Sequence, residues 1–147
     1  MSENLILSCH AEDCPSELLA AIDAGLHAHN LAAAPLDQVR SLAVGMHLPD
    51  GALLGGALGR SWGLCCELQQ LWVREDRRGQ GLGATLMRAF EAQAAARGCE
   101  LIYLETFSFQ APGFYRHLGY EEAACLEGFA PGLAKYLMRK RLERAAP

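Results

Sequence analysis

With 147 residues, 51% of them apolar and 20% charged, and a formal net charge of -4, the chain has the size and composition of one globular domain, which excludes the disordered and fibrous classes. The acidic balance offers no general attraction to nucleic acid, so the partner expected on electrostatic grounds is a small anion held by a local basic patch. Six scattered cysteines with no C-x-x-C and no zinc-finger spacing read as reduced, small apolar core residues, and no metal site is expected.

The N-terminal stretch MSENLILSCH carries an acidic residue where a signal peptide would be basic, and no segment approaches a membrane span, so a cytoplasmic protein is expected. Residues 4 to 9 (NLILSC) look like a first strand. Pro15 and Ser16 then open a helix to about Leu31 with Leu18, Leu19, Ile22 and Leu26 on one face, and Pro35 marks the next break. Residues 39 to 48 and 52 to 60 flank Pro49-Asp50-Gly51. Proline fixes φ there and glycine accepts positive φ, which predicts a hairpin. A strand over 64 to 73, a helix over 82 to 97 stopped by Gly98, and a strand over 100 to 106 form a βαβ unit, whose strands should run parallel with a right-handed crossover. A short helix at 111 to 118 and strands near 120 to 126 and 133 to 141 close the chain. The expected fold class is α/β (α+β mixed): one domain over 1–147, with a mixed, mostly antiparallel sheet of about six or seven strands and flanking helices.

The junction LWVREDRRGQGLG, residues 71 to 83, carries more charge and glycine than a turn needs. At a strand-to-helix junction the first N–H groups of the helix have no internal partner and the helix dipole adds positive charge, so an anion fits. Gly79, Gly81 and Gly83 let the backbone curl around that anion, and Arg77 and Arg78 add full charges. No Gly-Lys-Ser/Thr follows, and G-x-G-x-G departs from the dinucleotide pattern.

In this context RRGQGLG resembles the acetyl-CoA-binding motif of the GNAT superfamily of N-acetyltransferases, Arg/Gln-x-x-Gly-x-Gly/Ala, whose core falls on Arg78, Gly81 and Gly83. A second family segment resembles APGFYRHLGYE, with Ala111 four residues before Tyr115 and Gly119-Tyr120 closing it. The resemblance extends from about residue 39 to 141. It implies a loop of Arg78, Gly79, Gln80, Gly81, Leu82 and Gly83 on the CoA pyrophosphate, and a pantetheine edge at Leu71, Trp72 and Val73. It also implies a GNAT-like fold in which strands 64 to 73 and 100 to 106 diverge, leaving backbone groups for a ligand.

Acetyl transfer to an amine needs a neutral amine, a stabilised oxyanion and a protonated thiolate. The backbone N–H of Trp72 or Val73 is a candidate for the oxyanion. The resemblance implies Tyr115 as the acid for the CoA thiolate, against a packing role, and Glu67 as a general base, against a solvated strand position. A carboxylate in a partly apolar cleft would have a raised pKa. Ser108 stands where many relatives have a cofactor-contacting asparagine. His117 and His27-x-His29 read as solvated helix faces, and Glu121, Glu122 and Glu127 as either a mouth for a cationic amine or solvated surface. The expected function is N-acetyl transfer from acetyl-CoA to a primary amine, as a possible homodimer. A CoA-binding or regulatory module without catalysis is the alternative, and an accidental match to some other nucleotide phosphate site is a third reading. Valine at 81 or 83 is expected to obstruct the ligand and leave the fold intact.

Overall fold

The computed structural model describes residues 5–33 and 38–143 and divides into two compact units, Met1–Asp37 and Gln38–Pro147. In the first, residues 5 to 9 form no strand, contrary to expectation, and Asn4 lies outside the described residues. Leu5, Ile6 and Leu7 are about nine-tenths exposed, and a strand exists only where a neighbour takes its backbone bonds, so an apolar run alone did not suffice. Helix α1 spans Ser16–Ala33, its first turn closed by a bond from the Leu19 N–H to the Pro15 carbonyl at 3.1 Å. The break read at Pro35 lies outside the described residues.

The second unit holds β1 (Arg40–His47), β2 (Leu53–Trp62), β3 (Cys65–Val73), α2 (Leu82–Ala96), β4 (Leu101–Phe107), α3 (Pro112–His117), β5 (Glu121–Ala130) and β6 (Leu133–Arg141). Six strands form one mixed sheet in the order β1-β2-β3-β4-β6-β5. Its one parallel pair is β3 with β4, joined through α2. The β1–β2 hairpin turns as its residues dictate: Gly51 has φ +89°, and the Asp50 carboxylate accepts the Ala52 N–H at 2.9 Å.

Buried Met87 and Phe90 of α2 join Cys66, Ile102, Leu104 and Met138 of the sheet in one core cluster, and Leu86 of the same helix is buried as well. Gly59 admits this packing, because a Cβ there would stand 2.7 Å from the Phe90 ring and closer still to the Glu67 carbonyl. Arg97 fastens the end of α2 to the hairpin, donating to the carbonyls of Arg40 (3.0 Å) and Ser41 (2.8 Å) and to the Ser61 hydroxyl (3.1 Å). Cys66 and Cys99 are core residues, and burial pushes the Cys66 thiol up to about 12. Cys9, Cys14 and Cys125 are exposed, so the core reading fails for those three.

Candidate active site

The site begins with an irregularity in β3. Leu58 of β2 pairs with Gln70 and Gly59 with Leu68, so Gln69 is an extra residue with no partner opposite. Such a bulge shifts the alternation of side chains by one position and bends the strand. Before it, Cys66 and Leu68 face α2 and are buried. After it, Leu71 packs on the core, and Val73 lies 3.9 Å from where a Gly83 Cβ would be.

The parallel ladder stops at the same place. Cys65 to Leu68 pair with Leu101 to Leu104, yet β3 runs on beside β2 to Val73, and β4 runs on beside β6 to Phe107. The strands therefore part, and the gap is a cleft of about 600 Å³ bordered by residues 68 to 73, 104 to 106 and Tyr115. The Arg74 N–H donates to Leu54 of β2 at 2.8 Å. With a period of two along the strand, Trp72 turns its backbone groups toward β2 as well, while Leu71 and Val73 turn theirs into the cleft. The Arg78 guanidinium already takes the Val73 carbonyl at 3.1 Å from that side.

A second pocket of about 470 Å³ adjoins the cleft and shares Leu71, Val73, Arg78 and Ala111 with it. It lies over the start of α2. Gly79 and Gly81 have φ +72° and +79°, values that favour glycine, and Gly81 is the N-cap. No side chain caps α2 and no acidic residue stands in its first turn, so its opening N–H groups remain available to an outside anion. Gly83 lines the same pocket, and it also admits Phe114: a Cβ there would meet the Phe114 ring at 3.2 Å, so this glycine lets α2 and α3 pack closely. The charge burst before the loop also resolves. Asp76 accepts two bonds from Arg74 (2.8 Å for the Nη2 contact), which hold its carboxyl below the usual range, and stands 3.8 Å from Arg77 Nε, while Arg77 and Arg78 line the pocket. The Gln80 amide donates to the Asp76 carbonyl at 3.4 Å and braces the loop. Leu82 is the first residue of α2 and lines the same pocket.

Tyr115 of α3 is 8% exposed and borders the cleft. Phe114 and Tyr120 meet its ring edge-on at 5.1 and 5.8 Å. Burial pushes its hydroxyl up to about 12, which keeps it protonated at neutral pH. Among the described residues no buried side-chain polar atom lacks a partner. The Tyr115 hydroxyl, which has no hydrogen-bond partner among the described residues, is therefore open to the cleft.

Glu67 does not border the cleft. It lies where β3 and β4 still pair, and its carboxylate is held by Arg60 Nε at 2.7 Å, with the side chain 25% exposed. An ion pair replaces the apolar surroundings expected for it. Ser108 is also outside the cleft: its backbone N–H donates to the Ala134 carbonyl at 2.8 Å and its hydroxyl accepts the Ala134 N–H at 3.2 Å, tying β4 to β6. Glu121 and Glu122 pair with Arg139 and Arg116 on the surface, and neither they nor Glu127 border the cleft. Sequence reasoning missed Glu105, Thr106, Phe109 and Gln110, which border it. The stretch FSFQ, residues 107 to 110, with two aromatic residues flanking Ser108, is the signal in the sequence that points to this border.

Among the described residues no group of three His, Cys, Asp or Glu side chains is placed to hold a metal ion, and no helix is long and apolar enough to cross a membrane.

Residues 10–120 match the Acetyltransferase (GNAT) family. A blasticidin-S acetyltransferase of Streptomyces morookaense is 38% identical over 111 residues, 75% of this chain and 79% of that one. An acetyltransferase of Agrobacterium fabrum is 30% identical over 138 residues, 94% and 98% of the two chains. The crystal structure of an acetyltransferase from Bacillus cereus superposes with a TM-score of 0.82 at 28% identity, covering 91% and 98%. The fold is also that of an aminoglycoside 6'-N-acetyltransferase complexed with coenzyme A, at a TM-score of 0.61 and 22% identity over 73% and 76% of the chains. With a family match over residues 10–120 and relatives at 38% and 30% identity, the chain belongs to the GNAT acetyltransferase family.

Proposed function

We propose that this acetyltransferase moves an acetyl group from acetyl-CoA to a primary amine within the cleft between β3 and β4. The observation that carries the reading is convergence: the uncapped start of α2, the inward backbone edge at Leu71 and Val73, and the open Tyr115 hydroxyl border two adjoining pockets. A CoA-bound relative of the same fold supports it.

On this reading the pyrophosphate lies on Arg78 to Gly83 and the pantetheine amides pair with β3 as an added strand. Trp72, whose backbone points the other way, gives way to Leu71 or Val73 as the amide donor for the thioester oxyanion. An alkyl ammonium titrates near 10.4, leaving about four parts in ten thousand neutral at pH 7. Glu67, oriented by Arg60, takes the ammonium proton through water. The neutral amine attacks the carbonyl, the C–S bond breaks, Tyr115 donates to the departing thiolate, and the surplus proton on the nitrogen passes through water to the Tyr115 oxygen, so that amide and free CoA thiol leave with the tyrosine restored. Ser108 holds the β4–β6 corner rather than the cofactor. The chain acts as one acetyltransferase domain over 1–147, in the cytoplasm and as a homodimer, without a metal.

A panel of primary amines, with blasticidin S among them because a relative acetylates it, tests the reaction by mass spectrometry of the products. An acetylated amine that forms only with enzyme and acetyl-CoA supports transfer. Tight acetyl-CoA binding with no product from any amine would make the chain a binding module instead.

A further inference from the structure

We propose that the acceptor carries a flat aromatic or heteroaromatic ring beside its amine, and that Phe109 is the shelf on which the ring stacks. This rests on the acetyl-transfer reading above and names its substrate class. Phe109 borders the reaction cleft together with Tyr115, yet it is 69% exposed. A single exposed apolar side chain is ordinary. This one, however, is held in place. Phe109 stacks on Phe107 with ring centroids 5.3 Å apart and planes 12° from parallel, while Phe129 meets Phe107 edge-on at 5.1 Å.

Both neighbours of Phe109 are pinned. Ser108 exchanges two hydrogen bonds with Ala134, the Gln110 N–H donates to the Phe107 carbonyl at 2.9 Å, and the Gln110 side-chain oxygen accepts the Phe107 N–H at 2.8 Å. The turn therefore presents the ring in one orientation with little ordering left to lose on binding. A stack of two rings whose outer ring is open accepts a third. Glu105, the carboxylate bordering the same cleft, is already paired with Lys135 at 2.6 Å, so the ring rather than a free carboxylate does the discriminating.

Aromatic pairs gain roughly 0.5–1.5 kcal/mol beyond the area they bury, about a three- to tenfold preference over a saturated ring of equal size. The test compares kcat/KM for 2-phenylethylamine and 2-cyclohexylethylamine in the whole protein. The expected ratio is roughly three to ten in wild type, near one in Phe109→Ala, and restored in Phe109→Trp. Because a ratio is read, a general loss of activity in a variant cancels. A wild-type ratio near one, or a ratio unchanged by Phe109→Ala, overturns the shelf. If no amine releases thiol from acetyl-CoA, the transfer reading fails separately. Saturation-transfer NMR of the same two amines then decides the shelf: stronger transfer to the phenyl ring, lost in Phe109→Ala, supports it, and equal transfer overturns it.

Discussion

Replacing Tyr115 by phenylalanine removes one hydroxyl and keeps the ring. The ring's edge-on contacts with Phe114 and Tyr120 are retained, and the hydroxyl has no partner to lose among the described residues, so the variant should fold with stability close to wild type. Its effect on rate follows from the acidities. A hydroxyl at about 12 facing a thiol near 8.5 makes complete transfer to a free thiolate uphill by ~3.5 pKa units, or ~5 kcal/mol. Tyr115 therefore acts chiefly as a hydrogen-bond donor to charge growing on sulfur, with the proton following as the bond breaks. A hydrogen bond to a charged group is worth about 1.5–3 kcal/mol, which predicts a loss in kcat of roughly ten- to 150-fold. Thiol release at saturating substrates gives kcat, and acetyl-CoA affinity is measured separately. An unchanged kcat in a folded Tyr115→Phe protein would return the tyrosine to packing and leave water as the proton donor.

Other outcomes follow from the same geometry. Glu67→Gln should lower kcat about a hundredfold or more at pH 7, with the loss shrinking as pH approaches the amine's own pKa, because a base matters only while the amine is protonated; a loss independent of pH would assign Glu67 to structure. Arg78→Ala should weaken acetyl-CoA about tenfold or more by calorimetric titration, since a charge-assisted contact is lost, and equal affinity would remove Arg78 from the pyrophosphate. Gly81→Ala should cost about 1–2 kcal/mol in denaturant unfolding because φ is +79° there, and Gly83→Ala should also destabilise by crowding Phe114; wild-type midpoints in both would contradict the loop geometry. Burial raises both Tyr115 and Tyr120, so the folded state keeps protons that unfolded tyrosine loses near pH 10. Stability should therefore fall as pH rises from about 10 to 12, with Tyr115 contributing ~3 kcal/mol. Tyr115→Phe should flatten that fall, and an identical alkaline profile would refute the burial argument.

Most of the sheet was legible because periodicity and turn chemistry act locally: Pro49-Asp50-Gly51 and the Gly98 stop mark their elements in a few residues. Residues 5 to 9 have the apolar pattern of a strand, but pairing depends on a distant edge that no local pattern reports. The charges and glycines of the loop at 78 to 83 raised the expectation of an anion site, whereas the approach of Phe114 to Gly83 gave no local signal, because the two are thirty-one positions apart. The bulge at Gln69 left no signal in LQQLWV, and it decides that Leu71 and Val73, rather than Trp72, face the cleft. Glu67 and Ser108 were placed by resemblance. Their partners Arg60 and Ala134 lie on neighbouring strands, so only the register reveals that one is ion-paired and the other ties a corner.

If acetyl-CoA occupies the gap between β3 and β4 with its phosphates at the start of α2, the backbone amides of β3 and of that helix start must respond to it. Titrating CoA into the labelled protein while following backbone amide resonances tests that placement directly. Saturable shifts at Leu71, Val73 and residues 79 to 84, with Trp72 and β5 moving much less, are the predicted result. Binding that leaves those amides unmoved, or no binding at millimolar CoA, would contradict it.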